Sequence, residues 1–261
     1  MTIFISIVSH QNTIEIVHDL KPHQLASANQ RVVLLDNKPS DDLKRYALDH
    51  QLHYLENDAI QGFGSNHNRV FQYCRKHLGM DLETDWFIIL NPDLECDPQS
   101  ITTFVKDMEK EGTRIGAPNI FKDNAFQEHE ESVRRFPYLW ELLTSYIFRK
   151  NRTGVDRCCL TACEVDWASG ACLAFRADTF EALGGFDERY FLYYEDVDIC
   201  WRARHLLNVK THYIPGAKMV HRGKRASHTL NNKHLWWHLT SAIRFAWVRT
   251  KTALFGSKSL K

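Results

Sequence analysis

Trp86-Phe-Ile-Ile-Leu-Asn-Pro-Asp93 decides the fold of this chain. Residues 86–90 form a short unbroken apolar run, the length of a buried strand rather than a helix, and Asn91 and Pro92 end it abruptly. The carboxylate of Asp93 then falls at the strand's carboxyl edge, where open α/β sheets bind their ligands, so Asp93 is a candidate metal-binding or acid–base group.

Upstream, strand and helix patterns alternate. Strands are predicted at 3–9, 31–36 and 53–56, and helices at 13–20 and 41–50, the second strand running into Asp36-Asn37. Such alternation specifies a parallel, doubly wound sheet. Gly62-Phe-Gly-Ser-Asn-His-Asn68 reads as a glycine-containing loop opening a helix from about 65 to 77. Its glycines would let backbone approach a ligand, and a helix N-terminus favours an anion, although a plain loop-to-helix junction has the same sequence. Downstream of Asp93, a helix is predicted from Pro98 to 109 and a strand over 114–120.

The composition excludes several classes. The 261 residues are 44% hydrophobic and 25% charged, which describes an ordered globular protein rather than a disordered chain. A net charge of +1 argues against a general nucleic-acid binder. The seven cysteines lack metal-site spacing and disulfide-scaffold density, and suggest mostly buried thiols in a reducing cytosol. Residues 1–8 read as strand rather than signal, and no stretch approaches the ~20 apolar residues of a membrane span, so a membrane role would be peripheral.

The second informative block runs from Val165 to Arg204. Trp167-Ala-Ser-Gly170 predicts a turn entering a buried strand at 171–175, followed by a helix at 176–183 closed by Gly184-Gly185. Phe186-Asp187 then leads to Tyr194-Glu-Asp-Val-Asp198 and a helix through 207. Glu195, Asp196 and Asp198 crowd three carboxylates beside aromatic rings, an arrangement that raises a pKa and makes a general base, or alternatively an acidic helix N-terminus favoured by the dipole. His221 follows a predicted strand at 210–214 and a turn at Pro215-Gly216. Asp93, Glu195-Asp196 and His221 all fall beside apolar strands, and oxygen plus imidazole ligands suit a divalent cation on a diphosphate.

Two segments keep alternative readings. Residues 121–164, with Phe136-Pro-Tyr-Leu-Trp140 and a helix predicted at 140–148, are either a substrate-facing insertion or a variable surface loop. At 234–254, Trp236, Leu239, Ile243, Ala246, Trp247 and Leu254 recur on one helical side with His238, Arg244, Arg249 and Lys251 around them. That pattern suits an amphipathic helix on an anionic membrane surface, or one packed on the main domain or at a dimer contact. The run His221-Arg-Gly-Lys-Arg225 could meet an acceptor diphosphate, or be surface loop.

The ordered set Ile7-Val-Ser9, Asp36-Asn37, Gly62-Phe-Gly64 with Asn66 and Asn68, Asn91-Pro-Asp93, Trp167-Ala-Ser-Gly170, Gly184-Gly-Phe-Asp187, Tyr194-Glu-Asp-Val-Asp198 and His221 resembles the family 2 inverting glycosyltransferases of GT-A fold. Within them it is most similar to bacterial O-antigen rhamnosyltransferases acting on polyprenyl-diphosphate-linked N-acetylglucosamine. The resemblance implies an α/β GT-A fold, Rossmann-like with a mostly parallel sheet, over residues 1–225. The nucleotide-sugar half would cover about 1–120, the acceptor half about 121–225, and a C-terminal helical appendage 226–261.

The resemblance also implies roles. Ser9, Asp36 and Asn37 fall where the family binds base and ribose, and Gly64, Asn66 and Asn68 where it lines nucleotide and sugar. Asp93 matches the metal-contacting carboxylate of the Asp-x-Asp motif, whose first Asp is here Asn91, and His221 matches the third metal-side residue, for Mg2+ or Mn2+. Asp196 matches the catalytic base with Glu195 beside it, while Trp167, Gly170, Asp187 and Tyr194 fall on the acceptor and sugar side. The implied reaction moves L-rhamnose from dTDP-L-rhamnose to a lipid-linked sugar, in the cytoplasm or peripherally on the inner face of the inner membrane. UDP-galactofuranose, UDP-glucose or UDP-N-acetylglucosamine as donor, a non-catalytic sugar-nucleotide-binding protein, and a homodimer stay open.

Overall fold

The computed structural model describes residues 1–27, 29–137, 161–221 and 232–256; the helix expected at 140–148, Cys158 and Cys159, and the basic run beyond His221 lie outside them. The strands are β1 (Ile3–Ser9), β2 (Gln30–Asp36), β3 (His53–Glu56), β4 (Trp86–Leu90), β5 (Leu94–Glu95), β6 (Ile115–Phe121), β7 (Val133–Arg134), β8 (Cys163–Val165), β9 (Trp167–Ala168), β10 (Cys172–Arg176) and β11 (Thr211–His221). The helices are α1 (Pro22–Leu25), α2 (Asp41–Asp49), α3 (Phe63–His77), α4 (Pro98–Lys110), α5 (Ala177–Ala182), α6 (Glu195–Leu207) and α7 (Asn232–Phe255).

The main sheet has the order β3-β2-β1-β4-β10-β6-β11-β5, with β8 also on β11, and β7 pairs with β9 in a small second ribbon. Pairings within β3-β2-β1-β4 and between β6 and β11 are parallel, whereas β10 enters antiparallel between β4 and β6. The sheet is therefore parallel through the nucleotide half and mixed beyond it. All five residues of β4 are fully buried, because both sheet faces are covered. Each such side chain contributes about 1.5–3 kcal/mol on leaving water.

The helix expected at 13–20 forms, wound over Glu15–Leu20 as a π-helix, with Lys21 left-handed at φ 50° between it and α1. One prediction is corrected. The turn expected at Pro215-Gly216 is instead a bulge inside β11: pairing with β6 slips between Ile214 and Lys218, and the strand continues to His221. Gly216 lies in the bulge, where a Cβ would stand 2.6 Å from an Asp107 carboxylate oxygen at the end of its side chain on α4.

Parallel register sets the functional edge. Ser9 pairs with Asp36, and Ile7 pairs with Leu90, so β1, β2 and β4 deliver Ser9, Asp36 and Asn91-Pro92-Asp93 to one end of the sheet. β10 runs the other way with Cys172 opposite Leu90, which places Gly170 and Ala171 at that same end.

Candidate active site

The first wall of the site is the edge formed by β1 and β2. Asp36 is fully buried; one carboxylate oxygen accepts from Ser40 N–H at 3.0 Å and Tyr54 O–H at 3.4 Å, while Oδ1 is buried without a hydrogen-bond partner. Burial raises its pKa against those hydrogen bonds. An orphaned buried oxygen at a ligand edge fits a group that accepts hydrogen bonds from a ribose or base.

Asn37 and Asn66 build this wall from behind. Asn57 donates its amide to Asn37 Oδ1 at 2.8 Å and Asn66 Oδ1 at 2.6 Å, and Asn37 and Gln61 exchange a second pair of hydrogen bonds. α3 begins at Phe63, so Gly64, Asn66 and Asn68 lie within the helix rather than in a loop. The glycines are needed for internal packing: a Cβ on Gly62 would meet Phe191 O at 2.7 Å, and one on Gly64 the Phe186 Cβ at 2.6 Å. Asn68 is tied to the Phe186 backbone in both directions, at 2.8 and 2.9 Å, and fastens α3 to the turn before α6.

Asp93 and His221 are brought together by a tight turn and a strand pairing. Leu94 N–H closes on Asn91 O at 3.3 Å with Pro92 at the second position, a β-turn that reverses the chain from β4 into β5. β5 then pairs antiparallel with β11, His221 opposite Leu94, which puts His221 Nε2 2.9 Å from Asp93 Oδ1. On the other side of the ring, Nδ1 lies 2.7 Å from Glu130 Oε2. Burial pulls the imidazole down, but the hydrogen bonds to Asp93 and Glu130 outweigh it and raise its pKa to about 10.

Glu130 is a functional candidate that sequence reasoning missed. Because it holds Nδ1, Nε2 is the nitrogen turned toward Asp93, the orientation a metal-binding histidine takes when a carboxylate anchors its far side. Carboxylate oxygen and imidazole nitrogen suit a divalent cation, which would replace the proton between Nε2 and Asp93. Glu130 occupies the opposite ring nitrogen and cannot share that ion with Nε2, in keeping with no set of three acidic, His or Cys ligands among the described residues.

The Glu195-Asp196 pair stands at the N-terminus of α6. Tyr193 and Tyr194 are both left-handed, φ 71° and 68°, a costly conformation for two successive aromatic residues that turns the chain sharply into the helix. Asp196 is partly buried; Oδ2 accepts from Gly170 N–H at 3.1 Å and Oδ1 from Val197 N–H at 2.8 Å. Burial raises its pKa, opposed by those bonds and by the Arg134 guanidinium. Glu195 is raised well above the carboxylate range by burial and the charge of Asp196, and its Oε2 is buried without a partner. Arg134, on β7, is a second residue sequence reasoning missed, and its charge is felt by both Asp196 and Glu130.

Other expected residues are held by partners of their own. Asp198 pairs with Arg202 at 2.7 Å, both buried, and Arg202 donates to Leu183 O and Gly185 O. Asp187 is held by Arg189 at 2.6 Å. Trp167 is buried with its indole N–H on Arg135 O at 2.9 Å, and Tyr194 packs against Phe245 and His238 of α7.

Comparison with known proteins gives the family and the fold. Residues 11–170 match the model of Glycosyl transferase family 2. The chain is 29% identical over 245 residues to "Rhamnosyltransferase WbbL" of Escherichia coli (strain K12), covering 93% of this chain and 92% of that one. It is 30% identical over 229 residues to the "N-acetylglucosaminyl-diphospho-decaprenol L-rhamnosyltransferase" of Mycobacterium tuberculosis, covering 82% of this chain and 73% of that one. In fold it is similar to GalNAc-T7 solved with UDP, GalNAc and Mn2+ (TM-score 0.58, 16% identity, 85% of this chain and 44% of that one). It is also similar to a mannosyltransferase from Pyrobaculum calidifontis solved with GDP-Man and Mn2+ (TM-score 0.57, 14% identity, 93% and 64%).

Proposed function

Because this chain belongs to glycosyl transferase family 2 and has the GT-A fold, we propose that it is an inverting rhamnosyltransferase. It would transfer L-rhamnose from dTDP-L-rhamnose to N-acetylglucosamine carried on a polyprenyl diphosphate. The two rhamnosyltransferase relatives support the sugar, and the mycobacterial one the acceptor class.

One observation carries the reading. Gly170 N–H holds the Asp196 carboxylate at the sheet end that also bears Asp93 and His221. A displacement that inverts the anomeric carbon needs a base for the acceptor hydroxyl and, opposite it, charge to receive the departing diphosphate. In this mechanism Asp196 accepts the hydroxyl proton as the acceptor oxygen bonds to the anomeric carbon and the bond to the diphosphate oxygen breaks. Its raised pKa suits that task near neutral pH. Asp36 and Ser9 receive the nucleoside, and Asp93 with His221 would hold a divalent cation supplying positive charge to the diphosphate. Arg134 and the Glu195 side chain tune the charge felt by Asp196.

The test is transfer by purified wild type and Asp196→Asn from a panel of dTDP-rhamnose, UDP-galactofuranose, UDP-glucose and UDP-N-acetylglucosamine to a lipid-linked N-acetylglucosamine. The expected result is turnover of dTDP-rhamnose with inversion, lowered about 10²–10⁴-fold by the substitution while nucleotide affinity is kept. Equal turnover by both proteins would remove Asp196 as the base. Preference for another donor would replace the rhamnose assignment and leave the site standing.

A further inference from the structure

The near-neutral total charge hides a division. After Asp198 the chain contains no Asp or Glu, while residues 199–261 hold thirteen of the 33 Lys and Arg, so the preceding 198 residues carry 32 acidic against 20 basic side chains. α7 lies wholly in the basic part, with Lys233 and Lys251 along it and Arg244 and Arg249 packed over the Tyr190 and Trp201 rings of the catalytic domain.

α7 also has two apolar faces where a surface helix needs one. Phe245, Val248, Ser241 and Thr252 are buried against the catalytic domain, Phe245 meeting Trp201 and Tyr194 edge-on or tilted at 5.8 and 5.9 Å. The opposite face leaves Trp236 63%, Ile243 62%, Trp247 56% and Leu254 70% exposed, with Leu239 beside them. These positions follow helical spacing along a helix of 24 residues, roughly 36 Å long. Phe191 stacks on Trp237 at 4.7 Å and extends the apolar surface, next to a groove lined by Arg189, Ile243 and Arg244. Lys251 stands 5.0 Å over the Trp247 ring.

We propose that this face of α7 docks on an anionic phospholipid bilayer, the helix lying in the plane of the surface. The occupant is chosen by charge: a second copy docked symmetrically, helix on helix, would bring its own equally basic, acid-free helix to the contact, whereas lipid phosphates complement it. Indole rings interleaved with Lys and Arg suit the headgroup layer, and no described helix is long and apolar enough to cross a membrane.

Docking would also orient the site. α7 grips the segment that leads into Glu195-Asp196: Ser241 donates to Leu192 O at 3.0 Å, and Tyr193 O–H meets His234 Nδ1 at 3.0 Å. A bilayer under α7 therefore fixes the height of the Asp196 carboxylate above the surface. This consequence rests on the lipid-linked acceptor proposed above; the docking itself does not.

The experiment is vesicle flotation of the full chain with no donor or acceptor present. Wild type should float with phosphatidylglycerol–phosphatidylethanolamine vesicles, stay behind with phosphatidylcholine, and be released by high salt. Ile243→Asp with Trp247→Ser should partition at least tenfold more weakly, with circular dichroism and melting unchanged because both positions face outward. Lys233→Gln with Lys251→Gln, which keeps the apolar face, should lower binding to anionic vesicles in the same direction. Wild type that fails to float, or variants that float equally, would overturn the proposal, and so would a stable dimer dispersed by Ile243→Asp with no vesicle binding. Vesicle binding by a protein that transfers no sugar would sink the functional reading alone.

Discussion

Two acidic clusters of this molecule behave in opposite ways. In Asp93, His221 and Glu130 an imidazolium stands between two carboxylates, whereas Glu195, Asp196 and Asp198 stand within four positions and only Asp198 has a buried cation of its own. The first cluster is arranged to hold charge in place, and hydrogen bonding raises its histidine to about 10. The second concentrates like charge under aromatic cover, so burial raises all three carboxyls. A group transfer with a charged leaving group at one end and a proton acceptor at the other needs one cluster of each kind.

The largest effect should come from breaking the one balanced pair in the second cluster. Asp198→Ala leaves Arg202, which donates to the Leu183 and Gly185 carbonyls, buried without its carboxylate. We expect a loss of about 3–5 kcal/mol in urea unfolding. A loss below about 1 kcal/mol would show that Asp198 is not the structural member of the trio.

The two clusters were not equally visible in the sequence. Tyr194-Glu-Asp-Val-Asp198 is local, so its crowding could be read directly, as could the i,i+4 spacing of Asp198 and Arg202, but not that burial makes Asp198 the paired member while Gly170 N–H takes Asp196. The other cluster is assembled by tertiary pairing: β5 on β11 brings Asp93 to His221 across 128 positions, and Glu130 arrives from 91 positions away. Nothing local marks Glu130. The alternating strands of the nucleotide half were legible because both helix and strand periods are local, while the β11 bulge was not, since Pro215-Gly216 looks the same in a turn. Likewise Gly62 and Gly64 signal close approach without saying to what; the partners are Phe191 and Phe186.

The next effect sharpens the first cluster. Glu130→Gln keeps an acceptor for His221 Nδ1 but removes the negative charge beside it, so the imidazole is less basic and Nε2 a weaker ligand beside Asp93. Metal affinity in the presence of a nucleoside diphosphate should weaken about 10–100-fold, read by Mn2+ paramagnetic resonance, with the fold unchanged. Unaltered Mn2+ affinity would assign Glu130 to stability alone.

The smallest effect separates Glu195 from Asp196. In the folded protein the Glu195 carboxyl is raised above its unfolded value by burial and by Asp196, so ionising it opposes folding. Below the unfolded value, about 4.3, both states are protonated and the group is neutral in effect. As pH rises past that value the unfolded chain ionises first, and stability falls until the folded carboxyl ionises too. Glu195→Gln removes this penalty while keeping the side chain's size. The variant should therefore match wild type near pH 4 and exceed it near pH 8 by on the order of 1 kcal/mol, about 2–4 °C in Tm. A gain that is the same at both pH values would mean that packing around Glu195, rather than its charge, is what strains the N-terminus of α6.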